Sequence, residues 1–176
     1  METWIALLRG INVGGNNILP MKDLRVLLEN LSLSDVRTYI QSGNCVFRSD
    51  DTDPANLASR IASGIEQEFG FNPPTLVIRK DELAAAVDAN PFPDGDPKTV
   101  QLSFLFEPAE NADLDTLEAL KVPSEQFKLT DTVFYLHAPD GIGRSKLVEK
   151  VGKCIPVEMT GRNLRTALKL LDMASA

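Results

Sequence analysis

One order of elements, β-α-β-β-α-β, can be read twice along these 176 residues, and it limits the possible folds more than any single motif does. Thr3 to Leu8 reads as a buried strand. Pro20 to Leu31 reads as a helix, with Leu24, Leu27, Leu28 and Leu31 at the i, i+3, i+4, i+7 spacing of one face. Val36 to Gln41 and Asn44 to Arg48 read as two strands about Ser42-Gly43, a connection that suits a hairpin. Asp53-Pro54 opens a helix that turns Leu57, Ile61 and Ile65 inward and stops at Gly70, and Pro74 to Arg79 is the fourth strand.

An alanine-rich helix over Asp81 to Ala89 leads to Asn90-Pro91-Phe92-Pro93-Asp94-Gly95-Asp96-Pro97, the richest turn segment of the chain and its expected internal boundary. The order then repeats. Val100 to Phe106 is a strand, Ala112 to Leu120 a helix, and Gln126 to Leu129 with Val133 to His137 a hairpin about Thr130-Asp131. Ser145 to Cys154 is a helix, Ile155 to Met159 a short strand, and a last helix, Arg162 to Met173, stands outside the repeat. This is the order of the split ferredoxin-like unit. The expected fold class is therefore α+β, with two ferredoxin-like units in tandem, a linking helix and a C-terminal helix. Residues 1–80 form the first unit, 81–98 the linking helix and turn segment, and 99–176 the second unit with its final helix, as two domains or within one compact domain. The shared order with little shared identity makes an internal duplication a hypothesis.

In this topology the first two strands run one way and the last two the other, so loops distant in sequence gather at one sheet end. In the first unit the Gly10 to Asn17 loop is expected beside the Gln41-Ser42-Gly43-Asn44 hairpin. In the second, Gly141-Ile142-Gly143-Arg144-Ser145-Lys146 is expected beside Thr160-Gly161-Arg162-Asn163. The candidate ligand-binding residues are accordingly Arg9, Asn12, Gly14, Gly15, Gln41, Ser42 and Asn44 in one cluster. The other holds Arg144, Ser145, Lys146, Arg162, Asn163 and Arg165.

The first cluster has two glycines, Gly10 and Gly15, at P-loop spacing, but Asn16-Asn17 stands where a lysine and a hydroxyl residue would hold phosphate and magnesium. Nor does it fit G-x-G-x-x-G. What remains is a loop whose free N–H groups and following helix terminus suit an anion or a polar ligand. The alternative is a tight turn in which Asn12 and Asn16 satisfy backbone groups. In the second cluster Arg144 and Lys146 fall in the first turn of a helix with Ser145 as its cap, against the preference of the helix dipole. Such cations cost a few tenths to about 1 kcal/mol unless an anion lies among them. Arg162 and Arg165 are expected to repeat the pattern at the last helix, with Thr160 as cap. The alternative is long side chains extended into solvent or paired with the acidic middle of the chain.

The formal net charge of −7 disfavours indiscriminate binding to a phosphate backbone. Its distribution is uneven: Asp81 to Glu118 holds ten carboxylates against Lys98, whereas Arg144 to Lys169 holds seven basic residues against Glu149 and Glu158. Cys45 and Cys154 lack the spacing of a zinc site or a disulfide framework and read as free thiols. His137, the single histidine, lies in an alternating strand with no nucleophile motif, and the scattered carboxylates lack metal-loop spacing, so no metal or cofactor is expected and the residues name no catalytic set for or against an enzyme. Trp4 and Phe47 alone are too few aromatics for an RNA-stacking sheet. METWIALLRG has no basic leader and no run approaches a membrane span, so the expected location is the cytoplasm.

Arg9-Gly10-Ile11-Asn12-Val13-Gly14-Gly15, Tyr39-Ile40-Gln41-Ser42-Gly43-Asn44, Ser145-Lys146-Leu147, and Arg162-Asn163 with Thr166 and Lys169-Leu170 resemble the bacterial family called "domain of unknown function 1697". The resemblance spans nearly the whole chain. It implies two ferredoxin-like units and a cytoplasmic protein, and it supplies no activity. Where the family commonly has an aromatic after the Arg-Asn pair this chain has Leu164, so stacking there is not expected. The functional expectation is a small phosphate- or carboxylate-bearing ligand held at the glycine/asparagine loops and basic helix starts. The alternatives are a nucleic-acid accessory protein using the basic C-terminal face, and an interaction or structural module with no ligand.

Overall fold

The apolar run at the start of the chain becomes β1 (Glu2–Leu8), and it is continuous because both faces of the strand are buried. Trp4, Ala6 and Leu8 enter one core cluster, while Ile5 and Leu7 on the other face are equally inaccessible. The computed structural model describes residues 1–176. After β1 come α1 (Met21–Asn30), β2 (Ser34–Tyr39), β3 (Asn44–Ser49), α2 (Pro54–Phe69) and β4 (Thr75–Arg79). A linking helix α3 (Lys80–Asp88) precedes β5 (Val100–Leu105), α4 (Leu114–Leu120), β6 (Gln126–Leu129), β7 (Val133–His137), α5 (Lys146–Cys154), β8 (Met159–Asn163) and α6 (Leu164–Ser175).

The strands form two four-stranded antiparallel sheets, ordered β2-β3-β1-β4 and β6-β7-β5-β8. Each is the sheet of a ferredoxin-like unit, with the first strand of the unit inside and its second strand at the edge. The chain divides into two compact units, one of residues 1–85 with 169–176 and the other of residues 86–168.

In the first unit Leu24, Leu27 and Leu28 of α1 and Leu57, Ile61 and Ile65 of α2 pack on Trp4, Ala6, Leu8 and Phe47. The bounds of α2 follow from its ends: Asp53 caps the first turn by accepting from the Ala55 N–H at 2.9 Å, Pro54 occupies N1, and Gly70 closes the helix at φ 81°. Trp4 is wholly inaccessible, its Nε1–H has no hydrogen-bond partner, and the Arg79 guanidinium lies 4.6 Å from its ring centroid. In the second unit Leu117, Leu147 and Cys154 pack with Leu105, Phe134 and Leu136 on one sheet face. On the opposite face Tyr135 donates its hydroxyl to the Ala86 carbonyl of α3, and burial pushes its pKa up.

Two expected elements shift. The last strand is Met159–Asn163 rather than Ile155 to Met159, so Thr160 and Arg162 belong to β8 and neither starts a helix. The strand is hard to read because its buried positions, Thr160 and Arg162, are polar and its alternate position is Gly161. The first hairpin is longer than Ser42-Gly43. β2 ends at Tyr39, and Ile40, at φ 49°, begins the turn.

Gly43 closes that turn at φ 80°, where the space beside its Cα is filled: a Cβ there would lie 2.6 Å from the Leu8 Cβ and 3.0 Å from the Ile11 Cδ1. Its carbonyl accepts from the Leu8 N–H at 2.9 Å, so the turn cannot retreat without losing a bond to β1. Gly43→Ala is expected to lower the unfolding free energy by about 1–3 kcal/mol, the range of overpacking, and urea titration measures it.

Two carboxylates tie stability to acid. Asp51 accepts from the Asp53 N–H at 3.0 Å, from Asn56 Nδ2 at 2.6 Å and from Arg60 at 3.4 Å, and these bonds hold its pKa below the ordinary 3.8. Asp113 is lowered by the Thr116 hydroxyl and backbone N–H at the start of α4. A carboxyl with a lower pKa folded than unfolded contributes stability that is complete above its ordinary value and disappears as pH falls through its folded value. The urea midpoint is therefore expected to decline below about pH 4, with a shallower decline in Asp51→Asn.

Candidate functional site

The two polar loops of the first unit meet at the end of β1. Gly14 and Gly15, at φ 58° and 74°, form a two-residue turn of the type I′ kind, closed by the Asn16 N–H donating to the Val13 carbonyl at 3.0 Å. Asn12, itself at φ 53°, donates through Nδ2 to the Leu19 and Gln41 carbonyls, both at 2.9 Å, while its Oδ1 accepts from the Leu19 N–H at 2.8 Å. One side chain thus fastens the glycine loop to itself and to the hairpin, as the strand directions require. Asn17 Nδ2 donates to the Gly10 carbonyl, and the fully buried Asn44 donates to the Tyr39 carbonyl. Asn12 satisfies backbone groups as the turn alternative expects, and Asn17 does so where that alternative has Asn16. Arg9, Gly14, Gly15 and Gln41 are exposed around them, with Ser42 half-buried.

Replacing Asn12 strips two carbonyls and one N–H of their partner at once. Asn12→Ala is expected to cost about 0.5–1.5 kcal/mol, the net range of a hydrogen bond whose partners water can reach; a chemical-denaturation midpoint equal to wild type would show that the bonds are dispensable.

In the second unit β7 and β8 finish at the same sheet end, since His137 pairs with Val100 and Asn163 with Gln101. Ser145 caps α5 by accepting from the Val148 N–H at 3.2 Å. The loop before it turns at Gly141, φ 90°, and is anchored where Ser124 donates to Asp140 at 2.7 Å. Arg144 and Lys146 flank the cap, exposed and in no ion pair. At α6 the cap is Asn163, whose Oδ1 accepts from the Thr166 N–H at 2.9 Å, in place of the expected Thr160. Arg165 is exposed in the first turn, and its backbone N–H donates to the Pro97 carbonyl.

Arg162 does not join this group. It is 8% exposed and donates through Nη1 to Thr160 Oγ1 and to the Gly161 carbonyl, both at 2.8 Å. The expected quartet of cations is reduced to Arg144, Lys146 and Arg165. Near them the Phe92 ring sits 5.7 Å from the His137 ring, and Gly95 approaches so closely that a Cβ would lie 3.0 Å from His137 Nε2. His137 is thereby packed under a turn that also carries the exposed Asp94 and Asp96. Lys150 and Lys153, outside the expected set, are exposed along α5. Their spacing from Lys146 is visible in the sequence. A cavity of about 390 Å³ at the other end of this unit is lined by Glu107, Pro108, Glu110, Asn111, Pro156 and Val157, an acidic lining that repels anions.

No helix is long and apolar enough to cross a membrane. The model of the family described as "Protein of unknown function (DUF1697)" matches residues 1–135. Among solved structures, a conserved bacterial protein from Streptococcus pneumoniae is similar over 98% of each chain, with 25% sequence identity and a TM-score of 0.69. No curated protein matches the chain.

Proposed function

We propose that this chain, which belongs to that family of unknown function, binds a small phosphate- or carboxylate-bearing ligand at the start of α5, where Arg144 and Lys146 supply the charge. The observation that carries the reading is the placement of two exposed, unpaired cations at the positive end of a helix dipole. Ser145 already satisfies one N–H of the first turn, so the ligand meets the remaining N–H groups and the two side chains. Arg165 adds a third cation at the same sheet end. Arg144 is the natural anchor, because its planar fork takes two oxygens of a phosphate or carboxylate together. This reading does not use Arg162, which is buried in β8.

A ligand that binds only the folded state raises the melting temperature by mass action, with about 2.7 kcal/mol gained at a hundred times its dissociation constant. Phosphate, pyrophosphate and nucleotides are therefore to be compared by thermal melting. A shift with at least one of them is expected. Arg144→Ala is expected to weaken that ligand by roughly 1.5–3 kcal/mol, the range of a charged hydrogen bond. An equal shift in the variant would remove the α5 start from consideration.

A further inference from the structure

The cations at the start of α5 continue along it. Lys146, Lys150 and Lys153 stand at i, i+4, i+7 and are all exposed, so they share one face. At 1.5 Å per residue their steps along the axis are about 6 and 4.5 Å, and Arg144 extends the row beyond the cap. Glu149, the one carboxylate of α5, lies three residues from Lys146 and four from Lys153, spacings at which opposite charges meet on a helix. It forms an ion pair with neither. Lys146 and Lys150 repel each other at i, i+4. On a chain of net charge −7 this helix face carries four cations about the single carboxylate Glu149 and is positive in sum.

We infer that this row binds a linear inorganic polyphosphate chain, an inference that rests on the anion reading of the α5 start and extends it. A single phosphate engages one end of the row, whereas linked phosphates engage it along its length. The residues of α5 include no aromatic to stack a base, and none of its exposed side chains is an amide that reads base edges. The complement of the face is therefore a phosphate chain without bases.

Calorimetric titration with linear polyphosphate, pyrophosphate and single-stranded RNA of matched charge, over a range of salt, tests this beside the phosphate melting shift. Polyphosphate is expected to bind more tightly than pyrophosphate, with log affinity falling against log salt at a slope near −3, about 0.7 for each of four cations. Lys150→Gln combined with Lys153→Gln is expected to reduce that slope by about 1.4 and to leave the phosphate shift intact, with an unchanged ligand-free melting temperature showing that the fold is kept. A phosphate shift without tighter polyphosphate binding, or with binding untouched by the double variant, overturns the row and spares the α5 start. RNA binding above polyphosphate overturns it in favour of nucleic acid. No response to any anion overturns both readings.

Discussion

The antiparallel pairing of each unit's first strand with its third and fourth strands is the constraint on which the rest of the structure depends. β1 lies between β3 and β4, and β5 between β7 and β8, so each inner strand is held by partners from distant sequence. Because every pairing is antiparallel, the direction of one strand fixes which loops emerge at which end. The contact of Asn12 with Gln41 follows from this, and so does the placement of the α5 and α6 starts at one end of the second sheet. An inner strand with partners on both sides has no edge, which lets β1 be apolar on both faces without offering a pairing template to other chains.

Legibility followed the strength of local signals. α2 was readable to the residue because Asp53, Pro54 and Gly70 are chemical start and stop marks, each used as its type predicts. The element order was readable because leucine periodicity and hairpin turns mark it. β8 is hard to place because a strand whose inward residues are threonine and arginine carries no hydrophobic alternation, so Thr160 to Asn163 reads as a loop. The same lack of alternation makes Arg162 read as a helix start, where the structure has a buried strand position. In the glycine loop the sequence is compatible with a ligand site and with a tight turn, and Asn12 makes three side-chain bonds inside the loop and hairpin.

Charge is segregated more sharply in space than its sum suggests. The second unit has acidic side chains around the cavity at Glu107 and Glu110, and cations along α5 and at its start. A molecule of negative net charge therefore keeps one face of locally positive potential, screened over roughly 8–10 Å at physiological salt.

The buried indole of Trp4 has a spectroscopic consequence. It is the only tryptophan in the chain, it is shut away from water, and it lies in the first unit beneath the Arg79 guanidinium. Its emission is thus that of an indole in an apolar setting and reddens when the first unit opens, whereas the second unit carries Tyr135 and no indole. The chain is singly labelled by nature: tryptophan fluorescence follows one unit, circular dichroism follows both, and any lag between the two signals on unfolding separates the units without an added probe.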